Sequence, residues 1–331
     1  MQAVVLVGGF GTRLRPLTNT IPKSMLPIGH VPLIVRLIRR LQRGGVDAVT
    51  LSLGFLPDPF VSAFPDGTCG GVELRYAIEP APLDTGGAIR FAAEHSGIDD
   101  TFVVANGDVL TDLDVEALVA HHVAAAAEAT IHLIGVDDPS SFGVVERDSH
   151  GRILRFVEKP APGSEPSNLI NAGTYVFEPS VVARIPGGRR VSIERDTFPL
   201  VAAAGRFHGL VTDDYWLDAG RPDQYLQANL DLIGGVRRDE SDVGVAPGAE
   251  VAPSATVEQS VIGDRAHVGE RACVRRSVVL PGADVAAGAT LEESIVAGSV
   301  GADARLVRAI VGADAKIADG EQLLDVRVPA D

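Results

Sequence analysis

Apolar residues run without a break through Ala3-Val4-Val5-Leu6-Val7, the pattern of a strand buried on both faces in a parallel sheet. Over residues 32–41 the apolar positions switch to helical spacing, and Gly44-Gly45 closes that helix. Val49-Thr50-Leu51-Ser52-Leu53 alternates as a second strand, residues 72–78 form a third and residues 102–105 a fourth. A short helix is predicted over residues 86–95. Strands alternating with helices define an α/β class with a doubly wound, mainly parallel, Rossmann-like sheet. Ligands of such sheets sit beyond the carboxyl ends of the strands.

After Asp239-Glu240-Ser241-Asp242, a polar linker, the pattern changes. Aliphatics recur every six residues: Val245, Val251, Val257, then Ile262, Val268, Val274, then Val279, Val285, Leu291. A longer repeat shows as Ser260-Val261-Ile262, Ser277-Val278-Val279 and Ser294-Ile295-Val296, 17 residues apart, with Ala309-Ile310-Val311 fifteen later. Ordinary hairpins would show period two and irregular turns. The segment resembles the hexapeptide repeat of the left-handed parallel β-helix, with one aliphatic per face of a triangular coil. Two domains are therefore expected, over residues 1–238 and 243–331. The second would serve as an assembly or regulatory platform, giving a homo-oligomer whose assembly, more than its chemistry, depends on residues beyond about 240.

Composition narrows the partners. A chain of 331 residues with 46% apolar and 22% charged positions suits one large or two ordinary soluble domains. No apolar run is long enough to span a bilayer, and the first strand starts where a signal peptide would lie, so a cytoplasmic location is expected. Cys69 and Cys273 offer neither a disulfide framework nor metal-ligand spacing. The net charge of −15 argues against nucleic acid or anionic membrane as partner. It would also repel nucleotides, so a phosphate site must gather cations locally or recruit a divalent metal. Lysine stands only at positions 23, 159 and 316 among 29 basic residues, which points to a compact ammonium where it is kept.

The densest signal is Leu6-Val7-Gly8-Gly9-Phe10-Gly11-Thr12-Arg13-Leu14-Arg15-Pro16-Leu17-Thr18, with Pro22-Lys23 close behind. Glycines after a buried strand let the backbone turn and offer N–H groups, and cations follow: a device for holding polyphosphate. It is not a Walker loop, because Lys23-Ser24 follows proline, nor a dinucleotide fingerprint, because Leu14 stands where the third glycine belongs. The stretch resembles the signature of the sugar-1-phosphate nucleotidyltransferases, the NDP-sugar pyrophosphorylases, written G-G-x-G-T-R-L-x-P-x-T and then P-K.

Later motifs follow that family's order as far as about residue 235. They are Asn106-Gly107-Asp108 at the end of the fourth strand, Phe142-Gly143-Val144-Val145, Phe156-Val157-Glu158-Lys159-Pro160, Asn171-Ala172-Gly173-Thr174-Tyr175-Val176-Phe177, Ser192-Ile193-Glu194-Arg195-Asp196-Thr197-Phe198-Pro199 and Tyr215-Trp216-Leu217-Asp218-Ala219-Gly220. Singly each reads as a loop as readily as a site. The Val-Gly-Gly opening and the Ser-Ile-Glu-Arg element bring the chain nearest to the mannose-1-phosphate guanylyltransferases.

The resemblance implies that Leu6, Gly8, Gly9, Gly11 and Thr12, with Asn106, Gly107, Thr85 and Gly86, hold the nucleotide. Arg13 and Lys23 would neutralise its triphosphate, and Asp108 and Asp218 would bind Mg²⁺. A carboxylate at a strand end beside a phosphate loop suits that hard ion, which binds through one or two carboxylates plus substrate phosphates. Lys159 would meet the sugar phosphate, and Gly143, Glu158, Asn171 and Glu194 the sugar. The implied reaction gives NDP-sugar and pyrophosphate, with GTP and mannose 1-phosphate favoured over glucose or heptose 1-phosphate and other triphosphates. Glu79 could accept the paired N1–H and N2–H donors of guanine. One departure touches the preference: the family often has Leu-Gly-Thr-Ala-Gly where this chain has Leu83-Asp84-Thr85-Gly86-Gly87. Rival readings are a non-catalytic sugar-nucleotide-binding regulator, which degraded motifs would favour, and a second acyl-transfer activity in a β-helix that has the single histidine His267.

Overall fold

The computed structural model describes residues 1–54, 56–237 and 242–330. Residues 239–241 of the predicted linker, residue 238 and Asp331 lie outside the described residues. The chain divides into two compact units, residues 1–9 with 34–216 and residues 10–33 with 217–331. The signature stretch is thus shared, with Leu6 to Gly9 in the first unit and Phe10 onward in the second.

The first unit is built on a ten-stranded sheet. Gln2–Leu6 lies between Ala48–Leu53 and Phe102–Asn106, parallel to both, and Val72–Ile78 adds a fourth parallel strand beyond Ala48–Leu53. All six residues of Ala48–Leu53 are buried, so its alternation does not divide an inner face from a wet one. Its polar members find partners: the Thr50 hydroxyl donates to Ser96 Oγ at 2.7 Å, and Ser52 donates to Glu79 Oε1 at 3.1 Å. Buried hydroxyls bonded in this way cost little. The helix Asp84–His95 covers this sheet through Ile89, Ala92 and Ala93.

Antiparallel strands extend the sheet from the other side. Leu169–Phe177 pairs with Phe102–Asn106, Gly143–Arg147 and Ala129–Gly135, and Ile153–Glu158 closes that edge. The pairing of Leu169–Phe177 slips between Asn171 and Tyr175. Gly173 makes the bulge possible: its φ is +78°, and a Cβ there would stand 2.7 Å from Asn106 Nδ2. Phe102, Tyr175, Phe177, Phe198 and Phe207 pack edge to face and stacked in the core beneath.

The second unit contains three sheets of five short parallel strands, the coils of a β-helix. One strand from each sheet, for example His267–Val268, Cys273–Arg275 and Val278–Val279, makes a turn of the coil. Of the six-residue aliphatics, Ile262, Val268, Val274, Val279, Val285 and Leu291 are fully buried, Val251 and Val257 pack partly buried against them, and Val245, on the first coil, is exposed. The serine repeat has a structural cause. The backbone N–H of Ser277 donates to Ser260 Oγ, Ser294 N–H to Ser277 Oγ, and Ala309 N–H to Ser294 Oγ, each at 3.0 Å. The ladder satisfies buried amides coil by coil. The coil shortened to 15 residues turns at Gly298, where a Cβ would stand 2.4 Å from Gly312 O.

Candidate active site

In the first unit the chain turns sharply at the carboxyl ends of the parallel strands. Gly107 donates its N–H to Leu6 O at 2.9 Å, and a Cβ on it would stand 2.4 Å from Val7 Cγ1. Only glycine lets the chain pass so close, and this fixes half-buried Asp108 at the end of Phe102–Asn106. Gly8 is as confined: its Cβ position lies 3.2 Å from Glu79 Oε1 and from Gly54 N, whereas Gly9 is open. Glu79 is half-buried and held at both oxygens, Oε1 by Ser52 and Oε2 by the Leu83 N–H at 3.0 Å. A carboxylate oxygen has two lone pairs, so each keeps one for a ligand.

Thr85 and Gly86 start the helix that follows. Gly86 and Gly87 both donate to Val191 O, at 2.8 and 3.1 Å, an approach that a side chain at either position would crowd. Thr85 Oγ1 donates to Glu194 Oε2 at 2.7 Å, and Ser192 Oγ reaches the same oxygen at 2.7 Å. Glu194 is therefore locked in place, in a wide helical turn over Ile193–Thr197. Asp84 precedes them with φ +61°, the left-handed conformation that glycine adopts freely, which accounts for the family's glycine at this position.

Asn171, Glu158 and Glu194, expected from the resemblance to bind the sugar, gather around a buried phenol that the sequence pattern did not single out. Asn171 Nδ2 donates to Tyr175 Oη at 2.8 Å, and Asn171 Oδ1 accepts from Gly173 N–H at 2.9 Å. Burial, and then the negative charge of Glu194, Glu158 and Asp108, hold the Tyr175 phenol well above its ordinary range. Burial and the Glu194 charge also push the Glu158 carboxyl up, with Lys159 and Arg195 opposing. Lys159 Nζ lies 3.8 Å from Glu158 Oε1 and is otherwise exposed, on a backbone with φ +49°. Gly143 faces Glu158 across the ladder, and a Cβ there would stand 2.9 Å from Glu158 Oε2. Trp216 donates to Ala172 O at 2.9 Å and stacks edge-on against Phe142, closing the bulge from one side. Tyr175 and Trp216 both stand inside family motifs, but neither carries a charge to draw notice.

In the second unit, Gly11 turns the chain at φ +61° and Thr18 Oγ1 donates to Gly11 O at 2.8 Å. Thr12 and Arg13 are exposed, and Lys23 is half-buried. Three side chains converge on the space where a Cβ on Gly220 would lie: Asp218 Oδ1 at 2.7 Å, Arg13 Nη2 at 3.0 Å and Lys23 Nζ at 3.2 Å. Asp218 Oδ1 also accepts the Gly220 N–H at 2.8 Å. A guanidinium and an ammonium at one point suit an anion of several charges. Among the described residues no group of three or more histidine, cysteine or acidic side chains could hold a metal by itself. Asp108 in the first unit and Asp218 in the second each present hard oxygen donors, the donor type that suits a divalent ion completing its shell with phosphates.

A sheet with glycine turns at the ends of its parallel strands, and a following loop with a basic pair, suit a nucleotide-handling protein. The chain belongs to the nucleotidyl transferase family, whose profile matches residues 2–234, and the profile of the GMPPB C-terminal domain matches residues 240–328. It is 42% identical over 238 residues to a mannose-1-phosphate guanylyltransferase of Mycobacterium tuberculosis, a match of 71% of this chain and 66% of that protein. It is 38% identical over 254 residues to a mannose-1-phosphate guanyltransferase of Aspergillus oryzae, covering 76% and 69%. The matches thus span about two thirds of these relatives' length. The crystal structure of HddC from Yersinia pseudotuberculosis superimposes with a TM-score of 0.59 at 31% identity, covering 69% of this chain and 97% of that one. Among the described residues no helix is long and apolar enough to cross a membrane.

Proposed function

We propose that the chain transfers GMP from GTP to mannose 1-phosphate, giving GDP-mannose and pyrophosphate. A sugar-phosphate oxygen attacks the α-phosphorus; that P–O bond forms as the bond to the bridging oxygen breaks and pyrophosphate leaves with the electron pair. The substrates supply nucleophile and leaving group, so the protein aligns them and stabilises charge. The carrying observation is the convergence of Arg13, Lys23 and Asp218 beside Gly220. On this reading Arg13 and Lys23 take the charge that develops on the leaving pyrophosphate.

Leu6, Gly8, Gly9, Gly11 and Thr12 hold the nucleotide with Thr85, Gly86, Asn106 and Gly107. We assign Asp108 and Asp218 as the carboxylates for Mg²⁺, an ion that when bound offsets repulsion between two phosphates. Lys159 meets the sugar phosphate. Glu158 and Glu194, with like charges near each other, keep acceptor capacity that the hydroxyls of a sugar can fill; Asn171 and Gly143 border the same place. The division into a catalytic domain over 1–238 and a β-helix domain over 243–331, a homo-oligomer and a cytoplasmic location belong to the same reading.

Guanine is favoured because the free lone pairs of Glu79 can take its N1–H and N2–H donors as a charge-assisted pair, whereas adenine would present a lone pair. Turnover of four triphosphates against a panel of sugar 1-phosphates tests the whole reading, with GTP and mannose 1-phosphate expected to lead. Glu79→Gln should reduce the preference for GTP by about 10²-fold. A wild type that prefers ATP or dTTP, or a variant with undiminished GTP selectivity, removes Glu79 from the base site.

A further inference from the structure

We infer that Arg327, on the last described coil of the β-helix, is a positioning residue for the phosphate-binding stretch, an inference that rests on the nucleotidyltransferase reading above. Its Nη1 donates to the backbone carbonyl of Arg15 at 3.1 Å, across 312 residues of chain. Within the same unit, Gly312 on the preceding coil faces Pro16. A Cβ on Gly312 would stand 2.9 Å from Pro16 Cβ and 3.1 Å from Cγ, so glycine lets the coil seat directly against the buried proline. Both contacts fall within three residues of Arg13.

The stretch between is stiff enough to transmit the placement. Leu14 N–H donates to Gly11 O at 2.9 Å, Arg15 N–H to Thr12 O at 3.2 Å and Leu17 N–H to Leu14 O at 3.0 Å. These bonds close a short turn on itself but do not orient the turn as a body. Beyond the turn, the helix Pro222–Ile233 grips the chain at Pro27 and Gly29: the Tyr225 hydroxyl donates to Pro27 O, and Asn229 Oδ1 accepts from Gly29 N–H at 2.7 Å. Arg327 and Gly312 supply the corresponding grip on the side that carries Arg13. A guanidinium is suited to this because its rigid donor fork fixes a direction as well as a distance. Arg327 reaches this stretch through the backbone carbonyl of Arg15, two residues from Arg13. The β-helix then contributes to triphosphate binding, beyond the assembly role that its repeat suggests.

The test uses the full chain and a probe without base or sugar. Tripolyphosphate with Mg²⁺ is titrated calorimetrically into wild type, Arg327→Ala, Gly312→Ala and Arg327→Lys, with Arg276→Ala, at a corner of a different coil, as control. The missing bond and displaced loop should weaken tripolyphosphate binding about tenfold in both alanine variants. The lysine variant keeps a donor and should stay within about threefold of wild type. In steady state the KM for GTP should rise in parallel while the KM for mannose 1-phosphate holds. Unchanged tripolyphosphate binding in both alanine variants overturns the inference, as does a wild type that does not bind the probe. So does a loss in which both KM values and the melting temperature move together in every variant. A wild type that binds tripolyphosphate but rejects GTP overturns the guanylyl reading alone.

Discussion

The sheet and the β-helix both contain residues other than glycine in the left-handed backbone conformation, and they use it differently. In the β-helix Arg265, Arg271 and Asp303 adopt it with φ between +55° and +57°, and it recurs coil after coil at one corner, at Gln259, Arg276, Glu293, Arg308 and Asp325, with φ between +45° and +52°. Each precedes the next rung of the inner ladder, so the conformation belongs to the repeat and the side chain pairs with its neighbour at the surface, as Arg276 does with Glu293. In the first unit the conformation is solitary, and two of its four instances among the described residues, Asp84 and Lys159, adjoin the candidate site. Strain that recurs with a period reports architecture; strain that stands alone is a place to look for chemistry.

The largest effect expected from that contrast is catalytic. Asp108→Asn and Asp218→Asn keep size but remove a negative oxygen donor, and each should lower kcat by at least about 10²-fold with an unchanged fold by circular dichroism. A corner variant such as Arg276→Gly should leave kcat as it is. Near-normal Mg²⁺-dependent turnover in either asparagine variant would withdraw the metal assignment.

This contrast also explains which features are legible in the chain. The parallel strands, the glycine turns and the coil period are, because each depends on local pattern: unbroken apolar runs, obligatory glycine, aliphatics every six residues. The bulge at Gly173, the role of Tyr175 and the lock on Glu194 by Thr85 and Ser192 are not, because they arise from pairing between segments far apart in sequence. The grip of Arg327 on Arg15 spans nearly the whole chain and leaves no periodic trace.

A second, intermediate effect separates the two regions by pH. His132 lies in the buried strand Ala129–Gly135, its Nε2 bonded to Thr212 Oγ1 at 2.8 Å, and burial lowers its pKa from the ordinary 6.5 to about 4. His121 and His208, with rings 6.5 Å apart, are lowered in the same direction, first by burial. Between pH 6.5 and 4 the unfolded chain takes up a proton that the folded one refuses, so the stability is complete above that window and is lost as pH falls through it. His132 alone should account for a loss on the order of 2 kcal/mol between pH 7 and pH 5. The β-helix has a single histidine, His267, which is exposed and paired with Asp284. Denaturant melts of wild type and His132→Gln check this; equal losses in the two proteins on going from pH 7 to pH 5 would rule His132 out.

The smallest effect tests the contrast at its sharpest, by making the same change in both regions. Asp84→Gly and Arg276→Gly each relieve a left-handed residue, at φ +61° and +45°. Relief is worth about 1 kcal/mol, less for aspartate, whose short polar side chain tolerates this conformation, and the added freedom of glycine in the unfolded chain removes part of it. The side-chain interactions removed are exposed ones: Asp84 lies 3.9 Å from an exposed Arg190 and accepts the Thr85 N–H at 2.8 Å, and Arg276 pairs with Glu293 at the surface. Asp84 also sits in the first turn of its helix, where a negative charge is favourable by about a few tenths of a kcal/mol. Both variants should therefore gain about 0.5 kcal/mol or less in stability. Their chemistry should diverge. Asp84 is a negative charge immediately before Thr85 and Gly86, which we assign to the nucleotide, so removing it should lower the KM for GTP about two- to threefold, an effect that salt diminishes. Arg276→Gly should leave that KM unchanged at every salt concentration. If the two variants shift the KM for GTP alike, the solitary conformation at Asp84 has no more to do with the site than the corners of the coil.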